Sequence, residues 1–574
     1  MARQQSFALY LLGERRTWKA LSSSGRHAAR EVALSLCDRS DSLILKEISS
    51  DATLARIRRT DIVCCDVVLG EGEPSPARFD IVSYPVVEAT YFSRRRRSRT
   101  VHSFAIRAKG GRATADELLK RCVTSVSRIR KFAGVPTKSE TADSTSGKWT
   151  GRQRRNFLLL VNPKAGPGKS VATFETVVKP FLEQCSVDYE LVVTESASQV
   201  RSTARTMDLD GFDGVAVASG DGLIFEVVNG FMLRPDRTRA LALPICPLPT
   251  GSGNSLAASI CFETNEPFPP VGSYVTEMCV AIARPRKLHL PIFRVDCLAG
   301  GRTETMAGFL SFSWGLAADA DMESENYRFM GSLRFFFGTI VRLLGLRRYS
   351  GRISYLPCDG HPPTLSVSNG KYPPRSRRSF SLLPTDDDAT GQEDVDLRNN
   401  NRTSCAAHRC PTHPLDQKLS ESADVNEAWR AGYPKSIPDI GDPVPADWVT
   451  VEGDWVMVTA VNLSHMSSDL PYMPCATLEE QALHLTMVPY HANTSRITTA
   501  FMMNSIYESK HLDYPDFQTV AVKAFRIEPS KRETHSSKNM VVDGELVPYG
   551  TIQAVSTSYL ATVLAKDNGR DGDV

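Results

Sequence analysis

Three glycine-rich turns, each standing between an apolar run and a segment with helical spacing, constrain the fold of this chain more than any other feature. The apolar runs and the turns that follow them are residues 157–161 before 162–170, residues 215–218 before 219–222, and residues 240–248 before 249–256. Apolar runs of strand length that alternate with helices predict a mostly parallel sheet covered by helices on both faces. Because such sheets bind ligands at the carboxyl ends of their strands, the three turns should gather at one edge.

The second turn, Ser219-Gly220-Asp221-Gly222, has the composition of an anion site with one unexpected residue. Its two glycines let the backbone approach a ligand, and the following helix points free N–H groups and a positive dipole end at an anion. Asp221 would repel that anion, so its presence indicates either a bound metal ion or a proton to be removed. The alternative is that Asp221 only caps the helix.

Length and composition limit the classes of protein to which this chain can belong. With 574 residues it is too long for one ordinary core, so we expect two or three domains. The 68 basic and 65 acidic residues argue against a protein dominated by nucleic-acid binding. Thirteen scattered cysteines, an odd number, indicate reduced thiols and a cytoplasmic protein. The longest apolar stretch, residues 335–346, is too short to span a bilayer, so we expect any membrane contact to be peripheral.

Residues 1–136 form a predicted regulatory module. Short β-like runs precede one amphipathic helix, at residues 61–69, 79–87 and 101–107 for the runs and 115–132 for the helix. This order of elements resembles an α+β module of the pleckstrin-homology type. The basic run at residues 94–99 lies between two of the strands, and it either binds anionic lipid headgroups or forms a solvated hairpin tip.

The rest of the chain divides by composition. We predict a linker at residues 137–155, an α/β domain at 156–288, a β-rich domain at 289–357 and 446–566, and a tail at 567–574. The β-rich domain is predicted from strand-like runs and from the scarcity of helical spacing. Its two parts flank residues 358–445, which are rich in Pro, Ser, Asp and Asn. Their low hydrophobicity predicts a disordered insertion.

Several motifs taken in order point to a known family. Asn162-Pro163, Ser219-Gly-Asp-Gly222 and Pro249-Thr-Gly-Ser-Gly-Asn-Ser-Leu256 together resemble the catalytic domain of the diacylglycerol kinase and sphingosine kinase superfamily. Residues 314–328, followed by 331–334, are similar to the sphingosine kinase branch, and Asp543-Gly544-Glu545 matches the closing motif of the family. The first loop is not a Walker A motif, because Pro163 stands where that motif requires glycine.

The resemblance implies an ATP-dependent lipid kinase that phosphorylates the primary hydroxyl of sphingosine or another sphingoid base. A diacylglycerol or ceramide kinase is the alternative. Nucleotide binding is implied for the α/β domain and lipid binding for the β-rich domain, with Mg²⁺ carried by ATP rather than by a separate protein metal site. The implied partners are a sphingoid base and a membrane surface, without nucleic acid.

The same resemblance implies roles for individual residues. Asp221 is the implied general base, which takes the proton of the lipid hydroxyl as that hydroxyl attacks the γ-phosphate. The implied ATP-binding residues are Asn162, Pro163, Lys164, Thr194, Glu195, Ser196, Ala197, Ser198, Glu226, Gly251, Ser252, Gly253, Arg328, Arg334, Asp543, Gly544 and Glu545. The implied substrate-binding residues are Ser219, Gly220, Asp221, Gly222, Ser311, Asp321 and His511.

Lipid selectivity is implied to depend on Asp321, which would pair with the protonated amine of a sphingoid base. Ser311 would support a substrate hydroxyl, and His511 would lie near the closed end of an apolar slot. Diacylglycerol has no amine, and the nitrogen of ceramide is a neutral amide. A buried carboxylate that faces either lipid would stay unpaired, at a cost of a few kcal/mol.

Overall fold

The computed structural model describes residues 6–15, 30–37, 40–68, 78–87, 96–109, 114–134, 155–267, 274–324, 346–358, 424–491, 494–530 and 538–568. These residues form an N-terminal sheet of seven strands and a larger sheet of fourteen strands. None of the helices in these ranges combines the length and the apolar character that a bilayer span requires.

The N-terminal module consists of antiparallel strands and one helix. Its elements are β1 (Ser6–Arg15), β2 (Arg30–Cys37), β3 (Ser42–Glu47), β4 (Thr53–Arg58), a 3₁₀ turn (Arg59–Asp61), β5 (Ile62–Val68), β6 (Arg78–Ser83), β7 (Val86–Val87), β8 (Arg96–Arg97), β9 (Thr100–Lys109) and α1 (Ala115–Ala133). Seven strands follow the order β4-β3-β2-β1-β9-β6-β5, while β7 and β8 form a separate ribbon. The first strand therefore lies beside the last long strand. Phe79, Ile81 and Phe104 belong to a core cluster of the module, whereas Val63 and Val82 belong to the cluster of the α/β half.

Helix α1 confirms the prediction of a helix over residues 115–132. Thr114 and Glu117 form a capping box at its start, and Gly134 ends it with a positive φ of 66°. Its apolar side chains pack into the core of the module, where the rings of Phe79 and Phe104 stack with their centroids 5.0 Å apart. The apolar side of α1 therefore covers one face of the sheet.

The α/β half follows, with strands and helices in alternation. Its elements are β10 (Asn156–Val161), α2 (Ser170–Thr173), a π turn (Phe174–Val178), α3 (Lys179–Gln184), β11 (Asp188–Val193), α4 (Ala197–Thr206), β12 (Gly214–Ser219), α5 (Asp221–Met232), α6 (Arg237–Ala242), β13 (Ile245–Pro249), α7 (Ser255–Glu263) and α8 (Val275–Ala283). The strands are parallel in the order β11-β10-β12-β13, which confirms the predicted parallel sheet. The strand predicted at residues 240–248 begins too early, because Ala240 still belongs to α6.

The β-rich half contains long antiparallel strands. Its elements are β14 (Pro285–Ala299), β15 (Arg302–Gly308), β16 (Ser311–Gly315), α9 (Leu316–Ser324), β17 (Tyr349–Pro357), α10 (Val425–Ala431), β18 (Val449–Val461), β19 (Leu483–Pro489), α11 (Arg496–Asn504), 3₁₀ turns (Ser505–Glu508 and Lys510–Asp513), β20 (Gln518–Pro529), β21 (Met540–Val542), β22 (Glu545–Val547) and β23 (Thr551–Lys566). The predominance of strands agrees with the predicted β-rich region.

The two halves share one continuous sheet, so the predicted boundary at residue 288 is wrong. That residue lies inside β14, and β14 pairs with β23 along most of its length. At its far end β23 pairs in parallel with β13, the last strand of the α/β half, through Val563 and Ile245. Any shift between the halves would break ladder hydrogen bonds, and their relative position is therefore fixed on this side.

The predicted disordered insertion ends earlier than expected. Residues 359–423 lie outside the described residues, but residues 424–445 are placed and include α10. Trp429 and Tyr433 are buried there, and the Tyr559 hydroxyl donates a hydrogen bond of 3.0 Å to the carbonyl oxygen of Ala428. The prediction of disorder is therefore wrong from residue 424 onward, because burial of two aromatic side chains offsets the entropy of ordering a polar segment.

Arg97 joins the N-terminal module to the α/β half. Its side chain is 2% exposed and donates hydrogen bonds to Glu266, at 2.7 Å, and to Asp61, at 2.8 Å. The Lys566 ammonium lies 3.6 Å from both carboxylates. Burial by itself would raise the pKa of Asp61, but Arg97 and Lys566 outweigh burial and the pKa is lowered. Arg97 is therefore neither part of a lipid-headgroup site nor a solvated hairpin tip, because it is buried between the module and the α/β half. Residues 94 and 95 of the basic run lie outside the described residues.

We expect Arg97→Met to destabilise the protein by about 3–5 kcal/mol, because it removes the buried guanidinium that pairs with both Asp61 and Glu266. Lys566, and the half-exposed Arg58 beside Asp61, would be left near these two carboxylates. Thermal unfolding followed by calorimetry measures the loss. Arg96→Met is the matched control, since Arg96 is the exposed neighbour in the same strand and should change stability by less than about 0.5 kcal/mol. Equal melting curves for the two variants would contradict the importance of this ion cluster.

Candidate active site

The three glycine turns meet at the carboxyl ends of β10, β12 and β13, as predicted. A Cβ atom on Gly251 would overlap the backbone of Gly220, so the second and third turns are in direct contact. A Cβ on Gly220 would stand 2.7 Å from the carbonyl oxygen of Gly253, and one on Gly166 would stand 2.8 Å from that of Thr250. Glycine is required at these positions because backbone lies where a side chain would be.

Asp221 is the first residue of α5, and its carboxylate points at the start of another helix. One oxygen accepts the N–H of Ser255 at 2.7 Å and the other accepts the N–H of Leu256 at 3.1 Å. These are the first two residues of α7, so Asp221 caps the neighbouring helix and also lines the cleft. Burial raises the pKa of Asp221, although the two N–H groups act in the opposite direction. Each carboxylate oxygen keeps a second lone pair that can accept a proton.

Asp543 and Gly544 form the two-residue turn between β21 and β22. Their φ angles of 52° and 84° are both positive, as a type I′ hairpin requires. The carboxylate of Asp543 accepts three backbone N–H groups, from Phe309 at 2.8 Å, Leu310 at 2.9 Å and Ser311 at 2.8 Å. Burial raises the pKa of Asp543 to about 7. Asp543 thus fastens the hairpin to the loop that enters β16.

Two further contacts position the turns. Glu545 lies over α5, since a Cβ on Gly222 would stand 2.5 Å from its Oε1 atom. Asn254 accepts the N–H of Gly251 at 3.1 Å and donates to the carbonyl oxygen of the same residue at 2.9 Å. The Asn254 amide also lies 3.3 Å from the hydroxyl of Ser468, which belongs to the β-rich half. Both halves of the sheet therefore support the third turn.

A cleft of about 430 Å³ lies between the glycine turns and the β-rich half. Asp321, half-buried on α9, is part of its wall. The β-rich half also contributes mostly apolar side chains: Leu310, Ala317, Ala320, Met457, Met466, Leu470, Tyr472, Met503, Ile506 and Val541. The cleft thus combines a polar wall of backbone turns with an apolar wall that includes one carboxylate.

Most residues predicted for the site line this one cleft. They are Asn162, Lys164, Thr194, Glu195, Ser196, Ala197, Ser219, Gly220, Asp221, Gly222, Gly251, Ser252, Gly253, Ser311, Asp321, Asp543, Gly544 and Glu545. Residues more than 300 positions apart in the chain are brought together. The common location follows from the parallel strands for the first three turns and from the hairpin for the last three residues.

Three predicted residues do not contribute to the cleft wall despite their proximity to it. Pro163 and Ser198 adjoin residues that line the cleft. Glu226 lies one turn beyond Gly222 on α5 and forms an ion pair with Arg201 of α4, with 2.7 Å between Oε2 and Nε. The side chain of Glu226 therefore connects two helices.

His511 lies behind the wall of the cleft. It is fully buried, and its Nε2 atom is 2.7 Å from the carbonyl oxygen of Tyr472, a residue that does line the cleft. Burial lowers the pKa of His511 to about 4, so the ring is neutral at physiological pH. Its position supports Tyr472 and gives no direct contact with the cleft. Arg328 and Arg334 lie outside the described residues.

Sequence reasoning missed the contribution of β18 and the loop after it. Met457, Met466, Leu470 and Tyr472 line the cleft, and Ser468 contacts the third glycine turn. One signal was available: the polar segment at residues 462–470, with serines and an aspartate, directly follows the apolar run at residues 455–461. No spacing rule connects that segment to Asn254, which lies more than 200 residues earlier, because their contact exists only in the folded sheet.

Comparisons with known proteins relate this chain to lipid kinases by sequence. Residues 156–278 match the family of diacylglycerol kinase catalytic domains. Sphingosine kinase 1 of Mus musculus is 32% identical over 72% of this chain and 92% of its own length. Sphingosine kinase 2 of Homo sapiens is 28% identical over 89% of this chain and 84% of its own length. A solved diacylglycerol kinase structure from Bacillus anthracis str. Sterne aligns with a TM-score of 0.39 at 15% identity, over 73% of this chain and 99% of that one.

The catalytic-domain match and the sequence relatives define the chain as a lipid kinase with a catalytic domain of the diacylglycerol kinase type. Within that class, the identity and coverage of its relatives show that the chain belongs to the sphingosine kinase family.

We expect Gly251→Ala to lower kcat/KM for ATP by about a hundredfold, because the new methyl group overlaps the backbone of Gly220 and displaces the turn by a fraction of an ångström or more. Gly222→Ala should have a smaller effect, since the flexible end of Glu545 can move away. Steady-state kinetics with varied ATP measures both. Gly441→Ala is the control, because nothing lies within 4 Å of a Cβ there. A Gly251→Ala enzyme with the kinetics of Gly441→Ala would contradict the close approach.

Proposed function

We propose that this chain transfers the γ-phosphoryl group of ATP to the primary hydroxyl of a sphingoid base, giving a sphingoid base 1-phosphate. The observation that carries this proposal is that Asp221 and Asp321 line the same cleft. Asp221 stands among the glycine turns, whereas Asp321 stands among apolar side chains of the β-rich half. One carboxylate therefore lies beside the proposed site of the reacting hydroxyl, and the other lies beside the proposed site of a cationic group of a lipid.

In this mechanism Asp221 is the general base. Its two hydrogen bonds to the start of α7 hold the carboxylate still, and its raised pKa makes it a stronger base than an exposed aspartate. Phosphoryl transfer passes through a loose transition state, so the proton can leave the hydroxyl late and positioning contributes most of the catalysis. Ser219, Gly220 and Gly222 line the place where the two substrates would meet.

ATP would lie along the glycine turns. In the third turn the Gly251 N–H is donated to Asn254, so the backbone N–H groups of Ser252 and Gly253 are the ones suited to phosphate oxygens, with Gly251 allowing the close approach. The nucleoside would be surrounded by side chains and backbone of the first turn and of the loop before α4, namely Asn162, Lys164 and Thr194 to Ala197. Arg328 and Arg334 remain predicted phosphate contacts.

Mg²⁺ would enter on ATP. Across the residues that the structure describes, no group of three or more His, Cys, Asp or Glu side chains could hold a metal ion. Two exposed carboxylates, Glu195 and Glu545, line the cleft, and a protein oxygen such as that of Glu545 beside phosphate oxygens is an ordinary Mg²⁺ environment. When bound, the ion neutralises charge on the β- and γ-phosphates. Asp543 would act mainly by positioning the turn that carries Glu545.

The lipid would lie against the apolar wall, with its protonated amine at Asp321 and a hydroxyl near Ser311. Methionines at positions 457, 466 and 503 adapt to an alkyl chain because their side chains are unbranched and flexible. A neutral lipid would leave the half-buried carboxylate of Asp321 without its cation. This difference favours a free sphingoid base over ceramide or diacylglycerol.

Contact with a membrane surface and a cytoplasmic location complete the proposal. Ile497 and Phe501 on α11 are 67% and 40% exposed, and Met503 of the same helix lines the cleft. Exposed apolar side chains beside a lipid site suit peripheral contact with the bilayer that supplies the lipid. All eleven cysteines in the described part of the chain are free thiols, as a reducing compartment favours.

We also propose that residues 1–136 form a module of the pleckstrin-homology type. Its support is the order β4-β3-β2-β1-β9-β6-β5 and the single helix that follows the last strand and packs against β5, β6 and β9. With Arg97 buried against the α/β half, the headgroup site expected at residues 94–99 is reduced to its remaining arginines. The module could therefore regulate the enzyme through its contact with the α/β half as well as through lipid binding.

The pKa of Asp221 predicts the pH dependence of the reaction. A general base must be ionised, so activity falls as the pH falls through its pKa, and burial raises that pKa. We expect the acid limb of kcat/KM to lie above about pH 4, the ordinary value for an aspartate. Asp543, with a pKa of about 7, should add an inflection near neutral pH. Rates measured from about pH 4 to 9 test this; a limb at the pKa of a free aspartate would contradict the buried base.

Substrate class is tested with purified protein, labelled ATP and Mg²⁺. Sphingosine and phytosphingosine should be labelled in preference to ceramide and diacylglycerol. Asp221→Asn should lower kcat by at least about a hundredfold, because the amide cannot accept the proton. Asp321→Ala should raise KM for sphingosine by at least about tenfold, because the ammonium loses its partner.

Two results would overturn the proposal. Labelling of ceramide or diacylglycerol without labelling of the free bases would assign the chain a different lipid. Full activity of a folded Asp221→Asn protein would remove Asp221 from the mechanism. Glu226→Gln is a matched control for loss of one carboxylate on α5, since its partner is Arg201 and it does not line the cleft.

A further inference from the structure

Asp319 is a fully buried carboxylate with no role in the proposed chemistry. It lies on α9, two residues before Asp321. One oxygen accepts hydrogen bonds from the Tyr349 hydroxyl at 2.7 Å and the Arg347 guanidinium at 3.0 Å, and the other accepts from the Asn539 amide at 3.0 Å. Burying a carboxylate is expensive unless it is paired and hydrogen-bonded, so this site is built around its three partners.

The partners of Asp319 come from two other parts of the chain. Arg347 and Tyr349 lie at the start of β17, where the chain enters the antiparallel sheet. Asn539 directly precedes β21, four residues before Asp543 in the hairpin that lines the cleft. Asp319 therefore connects α9 both to the sheet and to the Asp-Gly-Glu hairpin.

Helix geometry places Asp319 opposite the cleft. Successive residues of an α-helix are about 100° apart, so positions 319 and 321 lie about 200° apart around the axis. Ala317, Ala320 and Asp321 have the spacing of one helix face, and all three line the cleft. Asp319 is attached to the protein interior on the other face.

Among the described residues, the other contacts of the first turns of α9 are mainly apolar, with Leu316 buried in a core cluster beside Val456 and Met457. The first five residues of α9 are Leu316-Ala-Ala-Asp-Ala320, so three of the five side chains are single methyl groups. Alanine side chains make few contacts and tolerate small rotations of a helix, whereas hydrogen bonds to a carboxylate depend on direction. The hydrogen bonds of Asp319 therefore add a directional constraint on the rotation of α9 that apolar packing does not supply.

We propose that Asp319 is a positioning residue for lipid recognition: it sets the rotation of α9 and so places the Asp321 carboxylate where a lipid ammonium group can reach it. This inference rests on the proposed function, because it acts through the amine contact of Asp321. Asp319 itself touches neither substrate.

The first test is Asp319→Asn, which keeps the size of the side chain and removes its charge. We expect KM for sphingosine to rise about tenfold, a size of effect typical of residues coupled through one contact, while KM for ATP changes by less than about threefold. An unchanged KM for sphingosine in the folded variant would overturn the proposal.

The decisive test repeats the substitution in an Asp321→Ala background. If Asp319 acts by placing Asp321, its replacement should change KM for sphingosine by less than about twofold once that carboxylate is gone. A merely structural role predicts the same fold-change in both backgrounds. Additive effects would therefore overturn the proposal even if Asp319→Asn alone weakens lipid binding.

Asp296→Asn is the matched control. Asp296 is also buried and accepts hydrogen bonds from an arginine and a hydroxyl, Arg294 at 3.0 Å and Thr305 at 2.6 Å, but it lies on β14 and does not line the cleft. It should lower the melting temperature without changing KM for sphingosine. A shift of KM equal to that of Asp319→Asn would attribute the effect to general destabilisation and overturn the proposal.

Tyr349→Phe covers the case in which Asp319→Asn does not fold. It removes one hydroxyl from the same carboxylate and should raise KM for sphingosine in the same direction by a smaller factor; no change would count against the proposal. Tyr433→Phe, which removes the hydroxyl that accepts from Arg294 at 3.0 Å, is its control. Failure of the proposed function is recognised separately, since the wild type would then not phosphorylate sphingosine, and both proposals would fall together.

Discussion

The active site depends on one electrostatic contact, the capping of α7 by the carboxylate of Asp221. The two hydrogen bonds that Asp221 accepts bring the starts of α5 and α7 together. Beside them the backbones of Gly220 and Gly251 lie so close that a Cβ on Gly251 would stand 2.4 Å from Gly220. The carboxylate of Asp221 partly neutralises the positive end of α7, which would otherwise attract a phosphate group. We therefore expect phosphate binding at the turn formed by Gly251 to Gly253.

A similar device recurs on the other side of the cleft. Asp543 accepts three backbone N–H groups and Asp319 accepts three side-chain donors, and neither depends on a substrate for its hydrogen bonds. Buried carboxylates of this kind are costly when a partner is missing, so each one selects a single arrangement of its surroundings. Fixed carboxylates therefore help to shape the cleft, whose wall also contains Asp321 and Glu545.

The continuity of the sheet explains why the two halves act as one unit. Strands β14 and β23 cross the boundary that composition predicts near residue 288, and β23 completes the parallel sheet beside β13. The N-terminal module is attached through Arg97 to Glu266 of the α/β half, and Asp61 of the module lies close to Lys566 at the end of β23. The last strand of the chain therefore contacts all three parts of the protein.

The sequence by itself determined the parallel sheet, the three glycine turns and the meeting of those turns at one edge, because each follows from local patterns and from the geometry of parallel strands. It also identified Asp221, Asp321 and Asp543 through motifs. The tertiary structure decided what those patterns could not express: the burial of Arg97, the place of His511 behind Tyr472, the contact of Glu226 with Arg201 and the anchoring of α9 by Asp319. These depend on pairs of residues distant in the chain, and a sequence pattern records the chemistry of each side chain but not the neighbour that folding gives it.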